Sequence, residues 1–413
     1  MNRRPFRPAK VLAAWLLLAA LPAGAAAQTR VVAIGDVHGA LPEFESILKQ
    51  TGIVDARRGA KEGWAGGDTV LVQVGDVVDR GPGTRASLDL LMEMEKTSLK
   101  QKKGKVVALL GNHEVMAMTG DLRYVSPEDY QSFAGKDSEN IRQNAYREYL
   151  AFLKERAELA GVPPAQPVSQ EKWMAEHPAG FFERRDAFGP QGVYGRWLRQ
   201  HDVAYRSGDV LLVHGGLSPN LTFDDIHEVN DSMRGALQTF DRGWQSLVKA
   251  GIIWRYMTMD EAVVEIQRER AAIPMRETDD TKQREELEKF IGLLTWLVSP
   301  DNPTWYRGLA GQPEQALGPR LQAMMSRLKI GSIVVGHTVL AGYEIRQRFD
   351  NRVFLIDTGM LRPAFGGRAS ALEIQDGRFT AHSAGQPPRA LSPPRADTGT
   401  GASSAGNSGT AQP

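Results

Sequence analysis

Three features of this chain predict an α/β fold. Short, apolar, β-branched runs recur along it; most end at a glycine and open into a polar loop; amphipathic helical stretches follow several of them. Strand, loop and helix alternating in this way predict βαβ units and a sheet with parallel parts. In such sheets, binding groups collect outside the carboxyl ends of the strands.

Val31–Ile34 (V-V-A-I) is the first of these strands, and Gly35 breaks it before Asp36 and His38. On a loop past a glycine, a hard oxygen ligand and an imidazole can turn toward one point. Pro42–Gln50 reads as a helix with Phe44, Ile47 and Leu48 facing inward. After a glycine-rich connection, Thr69–Val74 is a second buried strand, ending at Gly75 and opening into D-V-V-D-R-G-P from Asp76. Thr84–Lys96 follows as a helix with Leu88, Leu91 and Met92 on one face, then Lys105–Leu110 as a strand ending at Gly111 before N-H-E. Residues 115–202 change character: polar, helical in pattern and interrupted by Pro163-Pro164 and Pro178, they read as an insertion or cap. Val210–Val213 is a strand ending at His214 in H-G-G. The stretch 226–297 is mostly helical, and its charged run Glu265–Lys289 reads as a solvated helix face. Gly331–Val335 ends in G-H-T, and Val353–Ile356 precedes D-T-G. Ala371–Ile374 and Arg378–Ala381 read as a hairpin across Asp376-Gly377. From residue 385 to 413 the chain is Pro, Ser, Gly, Thr and Ala with little apolar weight, and reads as a disordered tail.

Lysine and arginine number 50 against 49 acidic residues, a formal net charge of +1. That balance provides no field for gripping nucleic acid, which is excluded as an electrostatic partner. The absence of cysteine excludes disulfides, thiolate catalysis and cysteine zinc sites. Any metal must then be held by carboxylate, imidazole and amide groups, a set that suits manganese, iron or zinc. Arg3, Arg4, Arg7 and Lys10, the apolar run Val11–Leu21 and Ala25-Ala26-Ala27 have the form of an export signal over residues 1–27. The apolar run falls short of the ~20 residues a spanning helix needs, so no stable membrane insertion is expected after cleavage. A periplasmic or secreted location follows. The Sec route is expected over the twin-arginine route, because Arg3-Arg4-Pro5-Phe6 matches the latter only in part.

Five strand ends therefore carry Asp36 and His38; Asp76, Asp79 and Arg80; Asn112, His113 and Glu114; His214; and His337. The blocks G-D-V-H-G, G-D-V-V-D-R-G, G-N-H-E, H-G-G and G-H-T resemble the signature blocks of the calcineurin-like metallophosphoesterases. D-R-G and N-H-E resemble its phosphoprotein-phosphatase branch. G-H-T, with Trp305-Tyr306-Arg307-Gly308, is most like the bacterial-type Shewanella-like phosphatases. The resemblance runs from Gly35 to Thr338, with a matching final strand to about Ile374.

This resemblance implies a four-layer α/β/β/α sandwich, in one domain over residues 28–384, with helical insertions at about 115–202 and 256–300. It also implies a dinuclear centre of manganese or iron, with zinc possible. Asp36 and His38 would hold one metal, Asp76 would bridge, and Asn112, His214 and His337 would complete the second. His113 would be the general acid and Asp79 would orient it. Arg80, Arg307 and Asn112 would contact the phosphate, with Arg255 in I-I-W-R-Y competing for the role of Arg307. Glu114 is expected as a structural partner rather than a ligand. The implied reaction is hydrolysis of a phosphomonoester by a metal-bridging hydroxide, without a phosphoenzyme. Protein phosphoserine, phosphothreonine or phosphotyrosine are the substrates implied, and small phosphoesters the alternative for an exported enzyme. A nucleotide or diadenosine-polyphosphate hydrolase, a phosphate-scavenging phosphatase and an inactive metal-binding recognition module stay open, as does oligomeric state.

Overall fold

Strands covered on both faces must be apolar at successive positions rather than alternating, and the central strands here are. The computed structural model describes residues 29–55, 57, 63–161, 168–272 and 281–394. The expected export signal and the tail beyond residue 394 lie outside them. The described strands are β1 (Val31–Ile34), β2 (Val70–Gln73), β3 (Lys105–Ala108), β4 (Ala204–Ser207), β5 (Val210–Val213), β6 (Ser332–Val335), β7 (Arg346–Arg348), β8 (Val353–Leu355), β9 (Ser370–Gln375), β10 (Arg378–Ser383) and β11 (Arg389–Leu391). They form two sheets, ordered β11-β10-β9-β1-β2-β3 and β4-β5-β6-β8-β7. In the first, β1, β2 and β3 run parallel, and the hairpin β9–β10 joins antiparallel with Val31 opposite Ile374. In the second, β5, β6 and β8 run parallel between antiparallel edges.

The strand period of two divides each buried strand between two cores. Val31 and Ala33 of β1 join Val72, Leu212, Val334, Phe354 and Phe379 between the sheets, where the Phe354 and Phe379 rings stack at 4.3 Å. Val32 and Ile34 face the other way, into a core shared with helix residues Phe44, Ile47, Leu88 and Leu91. Residues Leu321 and Met325 of helix Glu314–Leu328 pack in the same cluster as Ile333 and Val335 of the second sheet. Two sheets face to face, each flanked by helices, give the four-layer α/β/β/α sandwich that was expected.

Between β3 and β4 the chain builds helices Pro127–Phe133, Ser138–Ala160, Gln170–Glu176, Phe181–Phe188 and Val193–Leu198. Met259–Ala272 and Thr281–Leu297 form the second helical insertion. Aromatic packing ties the two together: Phe182 meets Trp254 at 6.2 Å and Tyr256 at 5.0 Å. The helix expected to close at Lys96 runs to Gln101 and ends where Lys102 turns left-handed. Two edge strands, β4 and β7, escape the apolar pattern because one side of each faces water. The proposed disordered tail also begins too early. Residues 385–394 are described, and β11 pairs with β10 through Phe379 and Leu391. Backbone pairing on a sheet edge requires no apolar composition.

Candidate metal centre

Six strands of the two sheets deliver polar side chains to one place. Asp36 and His38 follow β1, Asp76 follows β2, and Asn112 and His113 follow β3. His214, His337 and Asp357 follow β5, β6 and β8. His38, Asp76 and His337 all lie in the left-handed region, at φ of 49°, 58° and 66°, as do Asp79 and Arg80 at 67°. Such conformations cost of order 1–3 kcal/mol each and survive only where the surroundings enforce them. Glu114 supplies much of that enforcement. Its buried carboxylate accepts hydrogen bonds from the backbone N–H groups of Asp76 (2.7 Å), Val77 (2.8 Å) and Gly111 (2.8 Å). It is thus the structural partner expected, locking the β2 loop to the β3 loop. The glycine before a ligand has its own reason. A Cβ at Gly111 would fall on Asp76 Oδ1, and one at Gly336 on Asp36 Oδ1.

The acceptors converge around Asp76. His214 Nε2 lies 3.2 Å from Asp76 Oδ2, 3.0 Å from Asn112 Oδ1 and 3.1 Å from His337 Nδ1. On the other side, His38 Nε2 lies 3.7 Å from Asp76 Oδ2 and 3.9 Å from Asp36 Oδ2. The remaining nitrogen of each of these imidazoles donates to a backbone carbonyl. His38 Nδ1 bonds Val78 O, His214 Nδ1 bonds Val74 O, and His337 Nε2 bonds Trp305 O. Since a carbonyl only accepts, that nitrogen carries a proton in each ring, and it is the other nitrogen that faces the site and can ligate. Burial, with the charge of His113, pushes His38 down to about 3. Burial, with the charge of His214, pushes His337 to about 2. Burial opposes ionisation of Asp76, but His214 and His113 outweigh it and hold the carboxyl well below its usual range. With cations in place of protons, the imidazole nitrogens of His38, His214 and His337, the Asn112 amide oxygen and the shared Asp76 carboxylate would all turn lone pairs to one space. The donor set therefore fits two metal ions, with Asp76 common to the clusters His38–Asp76–His113 and Asp76–His214–His337.

His113 differs from the other three. Its Nδ1 bonds the Asp79 carboxylate at 2.8 Å rather than a carbonyl. Burial works against its protonation, but Asp76 and Asp79 prevail and hold its pKa above the ordinary histidine value. A ring held by a carboxylate at Nδ1 and biased toward its charged form is suited to donate, so the acid–base role fits it better than membership of the first cluster. Asp79 is itself clamped. Arg184 Nη2 donates to Asp79 Oδ1 at 2.5 Å, and Arg184 Nε to Asp129 Oδ2 at 3.0 Å, with all three side chains at most 1% exposed. Arg184 and Asp129 both belong to the first insertion, and no motif marked either.

A pocket of about 160 Å³ opens over these groups, lined by Asp36, His38, Asp76, His113, Arg80 and Arg307 among others. The Arg80 guanidinium carbon lies over the Tyr124 ring at 4.3 Å and near Phe365, and its buried Nε has no partner. Arg307 is exposed and fixed by bonds to His337 O and Thr338 Oγ1. Arg255 is elsewhere: it pairs with Glu148 at 2.9 Å, lies over Tyr256, and lines a different cavity. Arg307, not Arg255, therefore reaches the pocket. Asp357, the aspartate of the D-T-G after β8, joins the site without having been a candidate ligand, because a lone aspartate at a strand end is an ordinary turn residue. It stands against Asp36, and burial together with Asp76 lifts it to about 6.

Fold and site define the class: a two-sheet α/β sandwich with a dinuclear metal site at the carboxyl ends of its strands. Residues 29–257 match the family model described as calcineurin-like phosphoesterase, and the chain belongs to that family. It is 31% identical over 216 residues to Shewanella-like protein phosphatase 2 of Arabidopsis thaliana, covering 52% of this chain and 53% of the plant protein. The chain thus spans about half the length of that relative. Shewanella-like protein phosphatase 1 of Plasmodium berghei is 22% identical over 337 residues, 80% of this chain and 67% of its own. Among solved structures, the cold-active protein-tyrosine phosphatase of a psychrophilic Shewanella superposes with a TM-score of 0.54 at 23% identity. The match covers 88% of this chain and 81% of that one. Among the described residues, no helix is long and apolar enough to cross a membrane.

Proposed function

We propose that this chain is a metal-dependent phosphatase hydrolysing phosphomonoesters of phosphorylated proteins. The observation that carries the reading is the pairing of two sets of groups in one pocket. Lone pairs for two cations converge on Asp76, and a carboxylate-held imidazole, His113, faces the same space. Asp36, His38 and Asp76 would hold one cation, and Asp76, Asn112, His214 and His337 the other, with manganese or iron the expected pair and zinc the alternative. Two such cations, when bound, would supply positive charge at the phosphoryl oxygens and acidify a water. Arg80, its guanidinium over Tyr124 and its Nε unpartnered, and Arg307 bind phosphoryl oxygens, which Arg matches as a planar fork. His113 gives its Nε2 proton to the leaving oxygen while Asp79 holds the ring by Nδ1. The relatives named as protein phosphatases support a protein substrate over a dinucleotide.

The test is phosphate release by protein stripped of metal and reconstituted with manganese. Phosphotyrosine and phosphothreonine peptides, p-nitrophenyl phosphate and diadenosine tetraphosphate form the panel. Peptide turnover well above the small ester supports the reading. Turnover confined to the small ester or the dinucleotide moves the function to phosphate scavenging or nucleotide hydrolysis, and silence with two metals bound leaves a recognition module. We also propose export to the periplasm or beyond on the N-terminal pattern. Fractionation and N-terminal sequencing of the mature chain test it.

A further inference from the structure

The two helical insertions meet beside the metal pocket and enclose a trench of about 510 Å³. Its lining is chiefly aliphatic and thioether: Met116 from the helix after β3, Val263 and Ile266 from Met259–Ala272, Leu294 and Val298 from the end of the second insertion. Val298 is 53% exposed, an apolar side chain left at the rim. Tyr124 and Trp305 line both this trench and the metal pocket, so the two are one continuous surface with an aromatic pair at the join.

We propose that the trench is the subsite for apolar side chains flanking the phosphorylated residue of a peptide substrate. The inference rests on the phosphopeptide reading above and adds to it a sequence preference. Continuity carries it: a phosphoryl group seated between Arg80 and Arg307 leaves the rest of its substrate to pass Tyr124 and Trp305. A lining of this composition stabilises apolar groups and penalises unpaired polar ones. Charge at the rim excludes a polyphosphate. Arg123 is already paired to Asp121 at 2.6 Å, and Asp260 adds a carboxylate. The chain's own stretch 386–413, with almost no apolar side chains, does not match the lining either.

The experiment uses the full chain with manganese and two sets of phosphopeptides, on tyrosine and on threonine, identical except for leucine or glutamine beside the phosphoresidue. Wild type is expected to favour the leucine peptides at least about tenfold in kcat/KM, the scale of discrimination by an apolar pocket. The L294E/V298E variant is expected to lose that preference while turning over p-nitrophenyl phosphate normally. If it loses the small-ester activity as well, V298E alone, at an exposed position, carries the same test. Equal rates on both peptides in wild type, or a preference that survives in the variant, overturn the trench and leave the phosphopeptide reading standing. No turnover of any peptide beside normal turnover of the small ester overturns both. Dodecyl phosphate outpacing the leucine peptides assigns the trench to an alkyl chain and overturns the proposal. So does a gain of leucine-peptide activity on starting the chain at residue 28, which makes the apolar run Val11–Leu21 the occupant.

Discussion

Replacing Arg184 by methionine isolates what the first insertion contributes to catalysis. The guanidinium is the cation between two buried carboxylates, at 2.5 Å from Asp79 and 3.0 Å from Asp129. Methionine fills most of the stem's volume but leaves both carboxylates uncompensated, and breaking a buried pair in this way costs about 3–5 kcal/mol. Asp79 relieves its isolation by turning toward solvent or another donor, and its 2.8 Å bond to His113 Nδ1 turns with it. A misoriented acid forfeits much of the ~10²–10⁴-fold that general acid catalysis contributes. The signature is a dependence on leaving group. A phosphothreonine peptide expels an alkoxide and needs the proton, so its kcat should fall about a hundredfold. Nitrophenolate leaves without much help, so p-nitrophenyl phosphate should fall far less. Metal content should stay at the wild-type level, because Arg184 touches none of the proposed ligands. Lysine at 184 keeps the charge but cannot fork two carboxylates, so R184K should lie between. A folded R184M enzyme with unchanged kcat on the peptide would refute the reasoning.

Other substitutions separate the remaining roles. H113N should retain both metals by elemental analysis and lose about 10²–10⁴-fold in kcat on alkyl esters. D76N removes the shared carboxylate and should drop metal content below one per chain. G336A places a Cβ on Asp36 Oδ1 and should weaken metal binding at least about tenfold, read by competition with a fluorescent chelator, with secondary structure unchanged. Asp129 is raised to about 6, by burial first, so the folded chain keeps a proton there that the unfolded chain releases. The associated stability is full below the ordinary carboxylate range and is lost as pH rises to about 6, roughly 2–3 kcal/mol at 1.36 per pH unit. In urea unfolding with chelator present, D129N should decline less than wild type between pH 4 and 6.

The candidate ligands that converge on Asp76 were legible because each stands at the end of its own strand. Asn112 and His337 follow glycines whose Cβ would fall on the carboxylates of Asp76 and Asp36, while the glycines before Asp36 and Asp76 are required by close backbone approach, and that requirement is printed in consecutive residues. The buried strands were legible for the same reason, since a strand covered on both faces can be nothing but apolar. Asp357 was not legible because a single aspartate at a strand end carries no second metal-binding group beside it, and β4, β7 and β11 broke the apolar pattern by lying at sheet edges where backbone pairing suffices.

What needed the tertiary structure is everything set by distance across the chain. Arg184 lies 105 residues from the aspartate it holds, and nothing in Phe181–Phe188 distinguishes it from Arg185 beside it. The choice between Arg307 and Arg255 turned on which loop folds over the pocket. The trench arises only where two insertions far apart in sequence pack together. Sequence alone determined the cation-binding chemistry and the sheet that presents it, because neighbouring residues encode both. The insertions decided how that chemistry is aimed and what it is offered, because a helix's own pattern shows only that it has a buried face, not what that face meets.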